Sequence, residues 1–258
     1  MLDEDQQSAC DQFEKQSDRY GKSHILANTE DVAKGLNGLI FPPGGQALDV
    51  ATGGGHTALF LAGLGLRVTA ADISAAMLEH AKKLAAEKGF SISTSRHAAE
   101  KFPYPDASFD LVTCRVAAHH FSNRDAFLEQ TRRVLKPGGY FLLIDGSVPE
   151  TEPVATAWIH QVEKLRDPSH GRFLSLPEWS DLCRKHGLAV PCCATTPFKQ
   201  PDLEWYFQTA ATSPENQQKV RELVQTAPEP ARRVFHLAQE EGKTVWWWPR
   251  LTMLAQNS

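Results

Sequence analysis

Short apolar runs and amphipathic stretches alternate along the chain from residue 46 to residue 144. Each apolar run has the length of a buried strand, and each amphipathic stretch carries apolar residues at helical spacing. This repetition is typical of βα units that form a parallel sheet with helices on both faces. The predicted strands occupy residues 46–50, 67–71, 91–95, 109–115 and 140–144.

The helices between these strands have recognisable start and stop signals. The pattern predicts a helix over residues 56–62, and Ser74 is a candidate N-cap for a second helix that Gly89 ends. A third helix, over residues 125–135, leads into a Lys-Pro-Gly-Gly turn at residues 136–139.

Prolines become frequent after Asp145, and the regular alternation stops. Residues 189–196 and 244–255 still have the pattern of strands. The segment between them, residues 202–241, predicts two or three short helices and is too long for a plain connection. We interpret this insertion as a lid, and we expect helical patches in the first 40 residues to lie across the same end of the sheet.

Composition and charge narrow the class of protein. The 258 residues are 41% hydrophobic and 22% charged, which excludes a disordered or fibrous chain. A net charge of −4 disfavours a nucleic-acid partner and favours a small molecule. No apolar stretch approaches the ~18 residues of a membrane span, and the acidic first residues are unlike a leader, so we expect a cytoplasmic protein. The five cysteines have no metal-ligand spacing and predict no metal site.

The most informative segment is Leu-Asp-Val-Ala-Thr-Gly-Gly-Gly at residues 48–55, where a predicted strand enters a glycine-rich turn. Open α/β sheets bind ligands at this end of their strands. Gly53 and Gly55 can adopt positive φ and let a ligand approach the main chain. Asp72 lies 19 residues beyond Gly53, where its carboxylate can hold two ribose hydroxyls. The segment therefore predicts a nucleoside cofactor.

Two nucleoside cofactors compete for this site. Gly53, Gly55 and Ala58 satisfy the dinucleotide pattern G-x-G-x-x-A, which would suit NAD. Asp49, however, would place a buried negative charge near the pyrophosphate of NAD. The same carboxylate would attract the cationic amino group and sulfonium of S-adenosylmethionine. The charge of Asp49 therefore favours S-adenosylmethionine.

Several segments in order resemble the class I S-adenosylmethionine-dependent methyltransferases, within the methyltransferase type 11 group related to the ubiquinone and menaquinone C-methyltransferases. Residues 48–55 resemble their motif I, with Ala51 where a first glycine is frequent, and residues 68–74 resemble the ribose-binding end of the second strand. The Ala-Glu segment starting at Ala99 and the Leu-Lys-Pro-Gly-Gly segment at residues 135–139 are also similar. The N-terminal signature of the quinone enzymes is absent, so the resemblance implies chemistry but no particular acceptor.

The resemblance implies a fold and a domain organisation. We expect an α/β, Rossmann-like doubly wound sheet of about seven strands, mostly parallel with an antiparallel last strand, and a helical lid. Residues 1–40 would form a helical arm covering the site, and residues 41–200 the S-adenosylmethionine-binding core. Residues 201–242 would form the lid insertion, and residues 243–258 the final core strand.

The resemblance also implies cofactor contacts, and Tyr20 is expected to close over the methionine end of the cofactor. The expected cofactor-binding residues are Tyr20, Asp49, Ala51, Thr52, Gly53, Gly55, Asp72, Ile73, Met77, Ala99, Glu100 and Arg115.

Methyl transfer from a sulfonium is an in-line displacement, so the protein mainly aligns the reactants and excludes water. A base is needed only where the acceptor loses a proton. The candidate catalytic bases are His119 and His120, which follow the fourth strand, and His170. The aromatic residues 205–207 of the insertion are candidates for lining an acceptor pocket.

The sequence thus predicts a methyltransferase that uses S-adenosylmethionine, releases S-adenosylhomocysteine and acts on an oxygen, carbon or nitrogen of a small organic molecule. The alternatives are an S-adenosylmethionine-binding protein without methyl transfer and, less favoured, an NAD-dependent oxidoreductase. We expect a monomer or a homodimer without a nucleic-acid partner.

Overall fold

The computed structural model describes residues 3–20 and 24–258, without the side chains of residues 5, 15–20, 24 and 25. Within these ranges the chain forms an eight-stranded sheet with helices around it. The strands are β1 Gln46–Val50, β2 Arg67–Asp72, β3 Ser93–Arg96, β4 Phe109–Arg115, β5 Leu135–Gly146, β6 Leu188–Gln200, β7 Ala238–Glu240 and β8 Lys243–Asn257.

The strand order confirms a doubly wound sheet. The order is β3-β2-β1-β4-β5-β8-β6, with β7 paired to one end of β8. Neighbouring strands from β3 to β5 are parallel, whereas β8 is antiparallel to both β5 and β6. The chain moves outward in opposite directions from β1 and β4, which leaves a crevice at their carboxyl ends.

Alternation of side chains along each strand builds a layer of apolar residues on both faces of the sheet. On one face, Ala47 of β1 and Leu111 of β4 pack with Val32 from the N-terminal arm. On the other face, Leu48 packs in the same cluster as Trp179. Because both faces are covered, the central strands are almost continuously apolar.

Helices begin where the sequence offers caps. The Ser74 side chain accepts a hydrogen bond from Met77 N at 3.3 Å, as predicted for an N-cap, and Gly89 follows the helix end with φ +77°. The helices are α1 Glu4–Tyr20, α2 His24–Ala27, α3 Glu30–Gly35, α4 His56–Gly63, α5 Ala75–Glu87, α6 Arg124–Val134, α7 Pro153–Arg166, α8 Leu176–Lys185, α9 Leu203–Ala210, α10 Pro214–Gln225 and α11 Glu229–Val234, with a 3₁₀ turn at Ala118–His120.

The insertion between β6 and β8 differs from its prediction in two respects. It ends in the short strand β7, which forms a hairpin with β8, rather than in a helix. Its helices also share an apolar core with α7, in which Tyr206 and Phe207 are fully buried. These two rings therefore do not line a pocket. Because α7 and the helices of the insertion share this separate core, we call α7, α9, α10 and α11 together the cap.

The N-terminal arm connects the cap to the sheet domain. Helix α1 lies against α5 on one side and α9 on the other, and Gln12 Nε2 donates to Ala210 O at 3.0 Å. In the part of the chain that the structure describes, no helix is both long and apolar enough to cross a membrane.

Candidate functional site

A cavity of about 970 Å³, including its open mouth, lies at the carboxyl ends of β1, β2 and β4. Two backbone turns open it. Ala51 follows β1 with φ +52° and Val116 follows β4 with φ +54°, and both residues line the cavity. Positive φ is unusual for a non-glycine residue and most so for a β-branched one, and such strain clusters at functional sites. Two of the six non-glycine residues with positive φ in the described chain therefore lie in the crevice of the doubly wound sheet.

Asp72 ends β2 and lies in the cavity wall. Gly53 N and Ser74 N each donate a hydrogen bond to its carboxylate at 2.9 Å. Burial raises the pKa of Asp72, while these backbone donors oppose the rise. The carboxylate is therefore held in place by main-chain groups, and its remaining lone pairs are available for hydroxyl donors.

The sequence predicted that Asp49 contacts the cofactor, but this residue lies behind the cavity wall. Its two carboxylate oxygens accept hydrogen bonds from Thr52 Oγ1 at 2.6 Å and Thr113 Oγ1 at 2.7 Å, and it is not among the cavity-lining residues. Burial raises its pKa to about 6, and the two hydroxyl donors and the charge of Arg115 oppose this rise. Asp49 thus contributes a buried negative charge behind Thr52, which does line the cavity.

The two glycines of the turn have different surroundings. Gly53 has φ +50° and lines the cavity, and a Cβ at this position would meet no atom within 4 Å. Gly55 has φ +82°, lies outside the cavity wall, and would place a Cβ 2.7 Å from Cβ of Ala81. The absence of a side chain at Gly55 is therefore required for close packing of the turn against α5.

Four further residues of the predicted cofactor set lie in the same wall. Ile73, Met77 and Ala99 provide apolar surface, and Glu100 provides a carboxylate. Glu100 accepts hydrogen bonds from Gln6 Nε2 at 2.9 Å and Ser122 Oγ at 3.3 Å. It therefore joins the core of the protein to α1 at the edge of the cavity.

Arg115 at the end of β4 also lines the cavity, but its guanidinium group is occupied by the N-terminal arm. It donates to Asp31 Oδ2 at 3.1 Å, Leu26 O at 2.8 Å and Asn28 O at 2.6 Å. Arg250 Nη1 donates to the same Asp31 carboxylate at 3.1 Å. Arg115 consequently holds the arm in place over the site.

The three predicted bases meet in a cluster of histidines beside the cavity, but only His120 lines it. His119 is buried, and its Nδ1 lies 2.6 Å from Asp145 Oδ1. Burial lowers the pKa of His119 and raises that of Asp145 to about 7, so this pair does not hold an ionised imidazolium. His170 is 1% exposed with its ring centre 5.4 Å from that of His119, and burial lowers its pKa as well.

The structure thus brings most of the predicted site together in one wall. The residues that line the cavity are Ala51, Thr52, Gly53, Asp72, Ile73, Met77, Ala99, Glu100, Arg115 and His120. Asp49, Gly55, His119 and His170 lie outside the lining. Tyr20 ends α1, but its side chain is outside the described residues.

Sequence reasoning missed the residues that α1 contributes. Gln6, Ala9 and Phe13 line the cavity from one face of that helix. Their spacing of three and four residues is a signal that a helical-face analysis could have found. Phe121, after the 3₁₀ turn, adds a second aromatic ring to the lining.

The residues present fit a nucleoside with a cationic group. Asp72 offers a fixed carboxylate for hydroxyl donors, and the apolar walls suit a base. The buried charge of Asp49 favours a cation at the end of β1, and a pyrophosphate would be repelled there. The donor set therefore fits S-adenosylmethionine better than NAD.

Comparisons with known proteins agree with this fit. Residues 48–143 match the methyltransferase domain family. The uncharacterized methyltransferase YcgJ of Bacillus subtilis is 36% identical over 178 residues, which is 69% of this chain and 70% of YcgJ. The ubiquinone/menaquinone biosynthesis C-methyltransferase UbiE of Shewanella pealeana is 36% identical over 43% of this chain and 46% of its own length.

Solved structures show the same architecture. The crystal structure of YcgJ aligns with a TM-score of 0.81 and 28% identity over 89% of this chain and 99% of that chain. The geranyl diphosphate C-methyltransferase of Streptomyces coelicolor, solved with S-adenosyl-L-homocysteine, aligns with a TM-score of 0.65 over 91% of this chain and 81% of that chain. At 15% identity this second likeness shows the fold alone. The chain therefore belongs to the class I S-adenosylmethionine-dependent methyltransferases.

Proposed function

We propose that this methyltransferase transfers the methyl group of S-adenosylmethionine to a small, uncharged organic molecule that gives up a proton to His120. The single observation that carries the proposal is the meeting of Asp72 and His120 in one cavity. The first is suited to hold the cofactor, and the second is suited to act on an acceptor beside it. S-adenosylmethionine, when bound, supplies an electrophilic methyl group on a cationic sulfur.

The size of the acceptor follows from the N-terminal arm. Helix α1 lies against α5 and α9, and its residues Gln6, Ala9 and Phe13 form part of the cavity wall. A macromolecule would have to displace this helix to reach the ends of the strands. A small molecule can enter the cavity through its open mouth without displacing the helix.

The charge of the acceptor follows from the ionisable residues in the wall. Asp72 and Glu100 bring negative charge, and Asp49 adds more from behind. Arg115 is the one Lys or Arg among the lining residues of the described chain, and its guanidinium group is already paired with Asp31. An anionic acceptor would therefore find no available counter-charge, which favours a neutral molecule.

The catalytic contributions of the chain are positioning, shielding and proton removal. Asp72 is suited to hold ribose hydroxyls, and the buried charge of Asp49 stabilises a cation near Thr52. Phe13 and Phe121 provide apolar surface that excludes water from the reacting groups. His120 accepts the acceptor's proton as a general base. Oxygen, nitrogen and acidic carbon acceptors all meet these requirements.

The test is a methyl-transfer assay with S-adenosylmethionine labelled in its methyl group. The purified protein is incubated separately with a bacterial extract below 1 kDa and with the macromolecular fraction of the same extract. We expect formation of S-adenosylhomocysteine in step with a labelled product in the small-molecule fraction only. Transfer confined to the macromolecular fraction would contradict the proposal. Cofactor binding without S-adenosylhomocysteine formation in either fraction would favour a protein that binds S-adenosylmethionine without methyl transfer.

A further inference from the structure

His120 is anchored by a buried loop that the sequence did not associate with it. Its Nδ1 lies 3.1 Å from Ser169 O and 3.1 Å from Ser169 Oγ. Ser169 in turn donates from Oγ to Asp167 Oδ1 at 2.6 Å and from N at 2.9 Å. Asp167 is 2% exposed, so this chain of hydrogen bonds from a carboxylate to the ring is shielded from water.

The hydrogen-bond partners determine which ring nitrogen carries the proton. Ser169 O is a carbonyl and can only accept, so Nδ1 of His120 must donate. The Ser169 hydroxyl proton points to Asp167, which can only accept when ionised, and a lone pair of Ser169 Oγ is left toward the same Nδ1. Neutral His120 therefore carries its hydrogen on Nδ1, and Nε2 keeps a lone pair.

The loop of residues 167–172 is fitted closely to the turn that carries His120. Gly171 N and Arg172 N donate to His119 O at 3.1 and 3.2 Å. A Cβ at Gly171 would lie 2.6 Å from that carbonyl oxygen, so only glycine allows this approach. Arg124 Nη2 reinforces the contact by donating to His119 O at 3.1 Å and to Arg172 O at 2.9 Å. The position of Ser169 relative to His120 is thus built into the fold.

The other histidines of the cluster are poor proton acceptors, and charged groups of both signs lie around it. Burial lowers the pKa of both His119 and His170, so these rings stay neutral. The carboxyl groups near the cluster belong to Asp145 and Asp167, and the cations near it are Arg124 and Arg166. From α1, the residues that line the cavity are the uncharged Gln6, Ala9 and Phe13.

We propose that Asp167 and Ser169 are positioning residues that hold His120 with Nε2 unprotonated toward the cavity and that stabilise its imidazolium form. The acceptor must then be an acid, with an O–H, N–H or acidic C–H group. This inference rests on the proposed function, because it assigns Asp167 and Ser169 to the base of the same reaction.

The step balances with the groups named. The electron pair of the acceptor's X–H bond forms the new X–CH₃ bond, and the C–S bond breaks with its pair remaining on sulfur. The proton passes to Nε2 of His120. The positive charge of the sulfonium is thereby transferred to the imidazolium, where the charge of Asp167 stabilises it through Ser169.

The first experiment measures the tautomer directly in the protein without ligand. Long-range ¹H–¹⁵N correlation spectra of ¹⁵N-histidine-labelled protein separate protonated from unprotonated ring nitrogens, and a His120→Gln variant assigns the signals. We expect Nδ1 protonated and Nε2 unprotonated at pH 8 in the wild type. A spectrum in which Nε2 carries the hydrogen would overturn the proposal, whether or not an acceptor has been found.

The second experiment removes the buried charge. Asp167→Asn keeps an acceptor for Ser169 but loses the negative charge, and Ser169→Ala interrupts the chain while leaving Ser169's carbonyl in place. Both variants should shift the midpoint of the His120 ¹⁵N titration to lower pH and lower kcat at least tenfold at pH 7, with KM for S-adenosylmethionine unchanged. Asp181→Asn serves as the matched control, because Asp181 is an exposed residue of α8. This variant should match the wild type in the midpoint of the His120 titration and in kcat.

The outcomes separate this proposal from the proposed function. If no acceptor is methylated, the titration of His120 still decides whether Asp167 acts on it. An unchanged His120 titration in both variants would refute the positioning role even in an active enzyme. If Asp167→Asn does not fold, Ser169→Ala together with the wild-type tautomer carries the test.

Discussion

The guanidinium of Arg115, at the end of β4, and the carboxylate of Asp31, in the N-terminal arm, form an ion pair with an Nη2–Oδ1 distance of 3.0 Å. Arg250 from β8 shares the same carboxylate, and the Arg115 and Arg250 side chains are only 5% and 7% exposed. One aspartate therefore pairs with two buried cations and connects the arm to the middle of the sheet.

Asp31→Asn should lower the free energy of unfolding by about 3 kcal/mol, because it leaves two buried guanidinium groups without a counter-charge. It should also weaken S-adenosylmethionine binding, since the segment of residues 26–31, of which Leu26 lines the cavity, loses part of its attachment. Urea unfolding and calorimetry measure the two effects. The neighbouring Glu30→Gln is the control, because the Glu30 side chain is exposed and pairs only at 3.9 Å with Lys34. Equal stability of the two variants would contradict the role of Asp31.

Asp72→Ala should weaken binding of S-adenosylmethionine and S-adenosylhomocysteine alike by about 1–3 kcal/mol, because two hydroxyl contacts to a carboxylate are lost. The variant also frees Gly53 N and Ser74 N, so its melting temperature must be measured in parallel. Glu79→Gln changes an exposed carboxylate on α5, the helix that follows Asp72, and should bind as the wild type does. Unchanged affinity in a folded Asp72→Ala protein would refute the ribose role.

Cofactor affinity should depend on pH through Asp49, whose pKa burial raises to about 6. A bound cation favours the ionised carboxylate, so binding releases a proton wherever free Asp49 is protonated. Affinity is therefore expected to be constant above about pH 7 and to fall as the pH drops below about 6, by up to tenfold per pH unit. Calorimetry in buffers of different ionisation enthalpy detects the released proton.

The matched variant for this profile is Asp49→Asn, which removes the ionisable group and keeps its size. It should bind S-adenosylmethionine more weakly at pH 7.5 and show a smaller decline than the wild type between pH 7 and pH 5. A wild-type affinity that increases toward acid would contradict the electrostatic role of Asp49.

The cap should respond to a change in its own core without affecting the cofactor. The Tyr206 hydroxyl donates to the buried Glu163 carboxylate, and Arg166 lies 4.2 Å from the centre of the Tyr206 ring. Tyr206→Phe should therefore lower the free energy of unfolding by about 1–3 kcal/mol and leave S-adenosylmethionine affinity unchanged. Tyr140→Phe, at a half-buried position on β5, is the control for loss of a tyrosine hydroxyl. A large loss of affinity in Tyr206→Phe would show that the cap core is coupled to the cofactor site.

The sequence was most informative where local chemistry determines structure. The glycine turn after β1, the helix N-cap at Ser74 and the carboxylate at Asp72 all depend on residues a few positions apart. The observed helix and strands lie where these signals indicated. The apolar runs also identified the central parallel strands β1, β2 and β4, because burial on both faces leaves no other pattern.

Such local signals could not predict contacts between distant segments of the chain. Asp31 and Arg115 are 84 residues apart, and Ser169 and His120 are 49 residues apart. Each residue alone has the pattern of a surface group or a turn. Only the packing of the arm and of the loop at residues 167–172 against the strand ends gives them their partners.

The β7 hairpin was missed for a different reason. Its two turn residues, Glu241 and Gly242, have φ +50° and +76°, as in the hairpin turns that favour Asn-Gly or Asp-Gly. Glutamate at the first position is not a usual residue for this conformation, so the local signal was weak. Pairing with the long strand β8 supplies the stability that the turn residues lack.

The most direct test of the central claim is calorimetric titration of the wild-type protein with S-adenosylmethionine, S-adenosylhomocysteine and NAD at pH 7.5, repeated with Asp72→Ala. The account predicts saturable binding of the two sulfur nucleosides, about 5- to 150-fold weaker in the variant, and no binding of NAD. Saturable binding of NAD, or no binding of either sulfur nucleoside to the wild type, would contradict it.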